Sequence, residues 1–363
     1  MRILHYYDKG NEMIGQHVQM LSESMGLEAD NYLATEQEQA RTLLKGGGYD
    51  LLHLHGCWRN SSRSIVQQAL KTGVRLVLTP HGQLEPWVLE ERQWKEKLPK
   101  QLLYQRNIVE QAYVVIIQGS MEQECMEKLK WNPRTVVIRN AVITSSITAK
   151  EMARQTFNIY RKVMDSNPLE LMNDEMRTTL KAIITAGITG DRRWTGYTPN
   201  NAKDIEWRKL LCYAHQEQVT DTIKRGIRVL GLEAPDIDAA QIDYFVPKEY
   251  KQTESIQQTI GNQFVTENDR LMSSFRYLRK LTTDRQLSIK HLIELDRELR
   301  QHGCEEEELG DELKERHLWK LASRLMQIMA NRTGLTEGFM PVPPTDDRTT
   351  RRMEQQIENR LKI

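Results

Sequence analysis

The residues with the clearest chemical potential lie at the end of an apolar run. Arg75-Leu-Val-Leu78 leads directly into Thr79-Pro80-His81-Gly82-Gln83-Leu84-Glu85-Pro86-Trp87. A strand ending in a Pro-His-Gly turn puts an imidazole at the carboxyl edge of a sheet, where open α/β folds bind ligands. Glycine lets the chain bend there, and histidine exchanges a proton near neutral pH more readily than any other side chain. The plain alternative is a turn histidine that caps the strand end. His53 and His55 stand two apart in another apolar run, so a strand places both on one face. Such a pair can bind metal, but no Asp, Glu or Cys follows at a supporting spacing, so no metal is expected.

Gly15 precedes the helical pattern Gln16 to Met25, an arrangement that lets a helix amino terminus face an anionic diphosphate. A simple tight turn explains the glycine equally well. The phosphate cradles G-x-G-x-x-G and G-x-x-x-x-G-K-S/T are missing, which counts against dehydrogenase and kinase chemistry. Asp236-Ile-Asp238 imitates a metal-holding D-x-D, but it follows Pro235 and reads as a helix cap. Trp87 to Arg106 mixes Trp87, Trp94 and Tyr104 with Lys95, Lys97, Lys100 and Arg106. A basic helix with interfacial aromatics suits peripheral contact with anionic lipid, although Glu85, Glu90, Glu91 and Glu96 offset its charge. Asp191-Arg-Arg-Trp194 reads as a recognition turn or an inter-helix loop, and Glu305 to Glu308 as a solvated helix start.

The elements that must position these residues follow from periodicity. Ile3 to Tyr7, Asn31 to Ala34, Leu51 to His55, Val74 to Leu78, Val114 to Gln118 and Thr135 to Arg139 read as strands. Between them, helices are expected over Gln16 to Met25, Glu36 to Lys45, Ser64 to Lys71, Met121 to Lys128 and most of Trp87 to Ala112. The alternation predicts an α/β fold with a doubly wound parallel sheet over residues 1–147. From 148 to 347 the texture turns helical: Thr148 to Asp165, Leu171 to Ala186, Ile205 to Val229, Asp236 to Tyr244, Phe264 to Leu281, Ile289 to Arg300 and Asp311 to Asn331. Gly187 to Tyr197 and the proline-rich Gly338 to Asp347 read as loops. The charged tail 348–363 reads as a frayed terminal helix.

Composition narrows the class. The 363 residues suit two domains. A net charge of +1, 28% charged residues and a mean hydropathy of −0.62 describe a balanced chain without the basic excess of a nucleic-acid binder. Cys57, Cys125, Cys212 and Cys304 are scattered, which favours free thiols in a reducing compartment. Residues 2–7 read as a strand rather than a signal peptide, and no apolar stretch is long enough to span a bilayer. A cytoplasmic location is therefore expected.

With the elements laid out, the first part of the chain resembles the acceptor-side half of a GT-B glycosyltransferase, specifically the retaining "glycosyl transferases group 1" (family 4) enzymes of capsular and surface polysaccharide synthesis. Tyr49-Asp-Leu-Leu-His-Leu-His-Gly-Cys-Trp58 resembles the family's strand ending in HxHGxW, and Thr79 to Trp87 its PHGxLxPW segment. Lys95, Lys97 and Lys100 are similar to its paired-lysine helix. Gln118-Gly-Ser-Met-Glu-Gln-Glu124 is similar to its Ser-and-Glu segment, and Val137-Ile-Arg-Asn-Ala-Val-Ile143 to its IPNGV strand.

The resemblance implies a Rossmann-like GT-B N-terminal half, with a nucleotide-diphosphate sugar as donor and a cell-envelope polysaccharide or lipid-linked glycan as acceptor. His81 would sit at the reacting centre. Gly15 and Asn140 would face the donor, and His55, Gly56, Trp58, Gly82 and Trp87 the acceptor, with no cofactor or metal. The chain also departs from the family. Met13-Ile14-Gly15 keeps one glycine of a usual pair, and Arg139-Asn140-Ala141-Val142 lacks the proline and glycine of the hinge. The second half shows no glycine-rich β-α opening, basic pair or strand series for a donor domain. The alternative expectation is therefore a non-catalytic or half-enzyme subunit whose helical half docks a partner protein. A second parallel sheet would favour a self-sufficient enzyme, and an all-helical array the subunit.

Overall fold

The computed structural model describes residues 1–85, 100–196, 205–248, 250–261, 263–301 and 303–362. The chain divides into two compact units, Met1–Ser166 and Asn167–Ile363. Trp87, Trp94, Lys95, Lys97 and the first half of the helix expected over Trp87 to Ala112 lie outside the described residues.

The first unit is built on β1 (Arg2–Tyr6), β2 (Asp30–Ala34), β3 (Leu51–His55), β4 (Arg75–Thr79), β5 (Val114–Ile117) and β6 (Thr135–Val137). They form one parallel sheet in the order β2-β1-β3-β4-β5-β6. Among the described residues, helices α1 (Glu12–Met25), α2 (Gln37–Gly46), α3 (Asn60–Lys71), α4 (Arg106–Gln111), α5 (Ser120–Leu129) and α6 (Ala149–Asp165) belong to the same unit. This is the expected Rossmann-like α/β arrangement. The change of texture read at 147–148 falls at the start of α6, but that helix belongs to the first unit, which ends at Ser166.

Every residue of β3 and β4 is buried, as parallel strands covered on both faces require. Leu4, Tyr6, Leu52, Leu54, Leu76 and Leu78 pack with Ala40 and Leu44 of α2 and Ile65, Val66 and Ala69 of α3. Alternation therefore sends His5, His53, His55 and Thr79 to the opposite face. Full burial of each leucine is worth about 2 kcal/mol, so a one-residue slip that exchanged leucines for imidazoles is strongly disfavoured. Helix α6 lies against α1 and β4. Its buried stripe of Met152, Thr156, Tyr160 and Val163 follows the helical period. Its last turn is tied by the buried Arg75 guanidinium, which donates to Val163 O (2.5 Å) and Ser166 O (2.6 Å).

The described part of the second unit contains helices and 3₁₀ turns and no strand. Its helices are α7 (Asp174–Thr189), α8 (Trp207–Gln216), α9 (Thr220–Leu230), α10 (Ile256–Ile260), α11 (Glu267–Thr283), α12 (Ile289–Gln301), α13 (Glu306–Glu315), α14 (Trp319–Arg332) and α15 (Arg348–Glu358). Helices α7 and α9 cross at van der Waals distance through glycines. A Cβ on Gly187 would stand 2.1 Å from Thr222 O, and one on Gly226 1.9 Å from Ile183 O. No helix among the described residues is long and apolar enough to cross a membrane.

Several boundaries differ from the periodicity reading, each for a local reason. Helix α1 starts at Glu12 because the Asn11 side chain caps it by accepting from Ile14 N. The single patterns over 205–229 and 311–331 each split in two, with Gln218 (φ 59°) and His317 (φ 55°) in left-handed conformation at the breaks. The Asp236 to Tyr244 pattern yields only a 3₁₀ turn, Ala239–Gln241, capped by Asp238 as the D-x-D reading anticipated. The tail is not frayed. Asp347 and Thr350 form a capping box at the start of α15, and Met353 and Ile357 are buried.

Candidate active site

The chain passes from β1 outward to β2, then returns to place β3 on the other side of β1. Ligands bind at such a switch point, beyond the carboxyl ends of the strands. Here that position is filled by imidazoles: His5 from β1, His53 and His55 from β3, His17 from α1, and His81 from the turn after β4. His5 and His53 are register partners, and His55 pairs with Thr79.

The hydrogen bonds fix a direction. Asn31 donates its amide hydrogens to Ser22 O and Ala29 O, so its Oδ1 accepts from His5 Nε2 at 3.0 Å. A neutral His5 then accepts at Nδ1 from His55 Nε2 (3.0 Å), and His55 accepts at Nδ1 from His81 Nε2 (3.0 Å). His81 in turn accepts at Nδ1 from Gln118 Nε2 (3.0 Å), whose Oε1 accepts from Asn140 Nδ2 (3.4 Å). Asn140 Oδ1 accepts from Val142 N and from His17 Nδ1, both at 3.0 Å. Every bond in this chain is satisfied with all imidazoles neutral. The tautomers follow from the network.

Burial supports that neutrality. It pushes His5 down to about 4, lowers His17, and holds His53, His55 and His81 well below the ordinary imidazole range, with neighbouring rings adding to the effect. His53 stands beside the chain, its ring centroid 3.9 Å from that of His55. Burial holds the Tyr160 hydroxyl protonated, so it donates to His53 Nδ1 (2.5 Å), and His53 Nε2 donates to Thr79 Oγ1 (2.7 Å). One ring nitrogen of the cluster is left over. His17 Nε2 has no hydrogen-bond partner among the described residues and can accept a proton or a hydroxyl hydrogen.

The loops holding this edge are tightly specified. His81 adopts φ 56° and Trp58 φ 67°, conformations uncommon for residues with a side chain. Gln83 reaches across to the β3 loop, its Oε1 accepting from Cys57 N (2.6 Å) and its carbonyl from Trp58 Nε1 (2.8 Å). Gln105 Oε1 accepts from Trp58 N, and Tyr104 donates to Trp58 O. Under the Pro-His-Gly turn lies Glu122, 1% exposed. It accepts from Leu84 N (3.4 Å) and Gln118 N (3.5 Å), and burial raises its carboxyl to about 7.

The site residues anticipated from sequence are thus partly gathered. His55, Gly56, Trp58, His81, Gly82 and Asn140 meet at this edge, whereas Trp87 lies outside the described residues. Both ring nitrogens of His55 and His81 are occupied, and Asn140 is spent holding His17 and Gln118. Gly15 lies inside the first turn of α1, not before it; its amide donates to Asn11 O, and a Cβ there would meet the Tyr7 ring at 3.3 Å. Sequence reasoning passed over His5, His17, Tyr160 and the role of Glu122. The available signal was a histidine in the apolar stripe Ile14, His17, Val18, Leu21 of α1 and another in the buried strand β1. The reading that His53 and His55 lack further ligands holds for the local sequence only, since the fold adds His5, His17 and His81.

No curated protein and no solved structure matches the chain. Residues 16–141, which carry the cluster apart from His5 and Tyr160, match the family model described as Glycosyl transferase 4-like domain, so this stretch is similar to the N-terminal domain of a glycosyltransferase.

Proposed function

We propose that the chain serves the transfer of a sugar from a nucleotide-diphosphate sugar to a cell-envelope polysaccharide or lipid-linked glycan, with retention of anomeric configuration. The observation that carries this reading is the neutral histidine cluster at the sheet switch point, within the stretch similar to a glycosyltransferase domain. His81 is assigned to the reacting centre, where its strained turn and its bonds to His55 and Gln118 hold the ring in one orientation. Gly56, Trp58, Gly82 and the His55 edge are assigned to the acceptor side. Gly15 and Asn140 are assigned to the donor side, Gly15 by letting α1 approach Tyr7 and Asn140 by orienting His17. Preorganised neutral donors of this kind stabilise developing charge. A cytoplasmic setting, with peripheral contact at the inner membrane face, belongs to the same proposal.

A second reading has its own support. Among the described residues after 166 there is no strand, hence no second sheet to bind a donor. This favours a half-enzyme subunit whose helical unit docks a separate donor-binding protein. Calorimetry with a panel of nucleotide sugars, with and without proteins encoded nearby, tests both. Binding by the chain alone supports a self-sufficient enzyme, and binding only with a partner supports the subunit. Binding in neither setting refutes sugar transfer.

A further inference from the structure

The geometry points to a zinc-type metal site formed by His17, His55 and His81, with a fourth position left for water or a ligand oxygen. It draws on the same His55 and His81 as the sugar-transfer reading, and its test reads metal binding alone. One ring nitrogen from each of these residues lies within 4.8 Å of the other two. A tetrahedral zinc with bonds of about 2.0–2.1 Å needs ligand nitrogens about 3.3–3.4 Å apart. The site therefore needs His17 to close in from within 4.8 Å to about 3.4 Å and the His55–His81 pair, now at 3.0 Å, to open by a few tenths of an ångström.

Each ring is also held from behind, as ligating histidines require. His17 is held by Nδ1 on Asn140 Oδ1, leaving Nε2 for metal. His55 is held by Nε2 on His5, itself anchored on Asn31, leaving Nδ1. His81 is held by Nδ1 on Gln118, leaving Nε2. The proton now on His81 Nε2 moves to Nδ1 when metal binds. Gln118 accepts it by turning its amide, at the expense of the long 3.4 Å bond from Asn140. No net proton is released. Three neutral imidazoles without a carboxylate suit Zn²⁺, Co²⁺, Ni²⁺ or Cu²⁺ over Mg²⁺ or Ca²⁺. The other triplet, His5, His53 and His55, is buried, and both His53 nitrogens are tied to Tyr160 and Thr79 outside the triplet, so it reads as structural.

The test uses the full, untagged chain, stripped of metal and titrated with Co²⁺ and then Zn²⁺. The expected result is one Co²⁺ per chain with the strong visible absorption of a four-coordinate ion, displaced by Zn²⁺. Asn140→Ala, which removes the acceptor orienting His17 together with the bonds to Gln118 and Val142 N, should weaken binding by about 10- to 100-fold, and His17→Ala by more. His215→Gln with His317→Gln should leave it unchanged. X-ray absorption of the zinc-loaded wild type needs no variant to fold, and three imidazole ligands are expected. Failure to bind Co²⁺ or Zn²⁺, wild-type affinity in His17→Ala, or an oxygen- or sulfur-dominated shell would overturn the site.

Discussion

Replacing Glu122 by glutamine probes how the Pro-His-Gly turn is held. The carboxyl is 1% exposed and raised from 4.5 to about 7 by burial, against the opposing pull of the backbone amides of Leu84, Gln118 and Gly82. A folded-state value above the unfolded one means that the native state binds the proton more tightly. This contribution is therefore fully present below pH 4.5 and is lost as pH rises through about 7. About 2.5 pH units at 1.36 kcal/mol each give about 3 kcal/mol, and the near-complete burial calls for no solvent discount. Glu122→Gln has no such titration. It carries a roughly constant penalty of about 1–3 kcal/mol, because its NH₂ faces backbone donors. The buried histidines contribute a slope of opposite sign in both proteins, so only the difference between them is diagnostic. Amide hydrogen exchange in β5 reads the first unit alone. Between pH 4.5 and 7.5, wild type should lose about 3 kcal/mol relative to Glu122→Gln. Parallel pH dependence would refute the assignment of a neutral, buried Glu122.

Tyr160→Phe leaves His53 Nδ1 buried without its donor and should cost the first unit about 1–3 kcal/mol, read by hydrogen exchange; no loss would remove the Tyr160–His53 bond from the account. Gly226→Ala forces a Cβ against Ile183 O across the α7–α9 crossing. It should destabilise the second unit by at least about 1–3 kcal/mol, read as an earlier denaturant midpoint for amides of α7, and an unchanged midpoint would contradict the close crossing.

Much of the fold was legible because its strands are short apolar runs between helical periods, and such local patterns survive folding. Arg75 to Thr79 and Leu51 to His55 are examples, each buried on both faces. What escaped were features set by a cap or by distance. Asn11 moved the start of α1 ahead of Gly15, and left-handed Gln218 and His317 broke helices without a glycine to mark the place. The docking of α15 was foreshadowed by Asp347 and Thr350 at capping-box spacing, followed by the stripe Met353, Ile357 and Leu361. The turn carrying His81 stood out because its chemistry is contiguous. His5 and His17 did not, because they join His55, Gln118 and Asn140 only when β1, α1, β5 and the segment after β6 reach one sheet edge. A histidine within an apolar stripe was the trace they left.

The central claim is that this edge handles a reacting sugar. Its most direct test is release of nucleoside diphosphate from a nucleotide-sugar panel by wild type and His81→Ala, each with and without neighbouring biosynthetic proteins. The account predicts turnover by wild type in at least one of these settings and a loss of about 100-fold or more in His81→Ala, within the range for removing a positioned acid–base or charge-stabilising group. Equal turnover by the two proteins would contradict it.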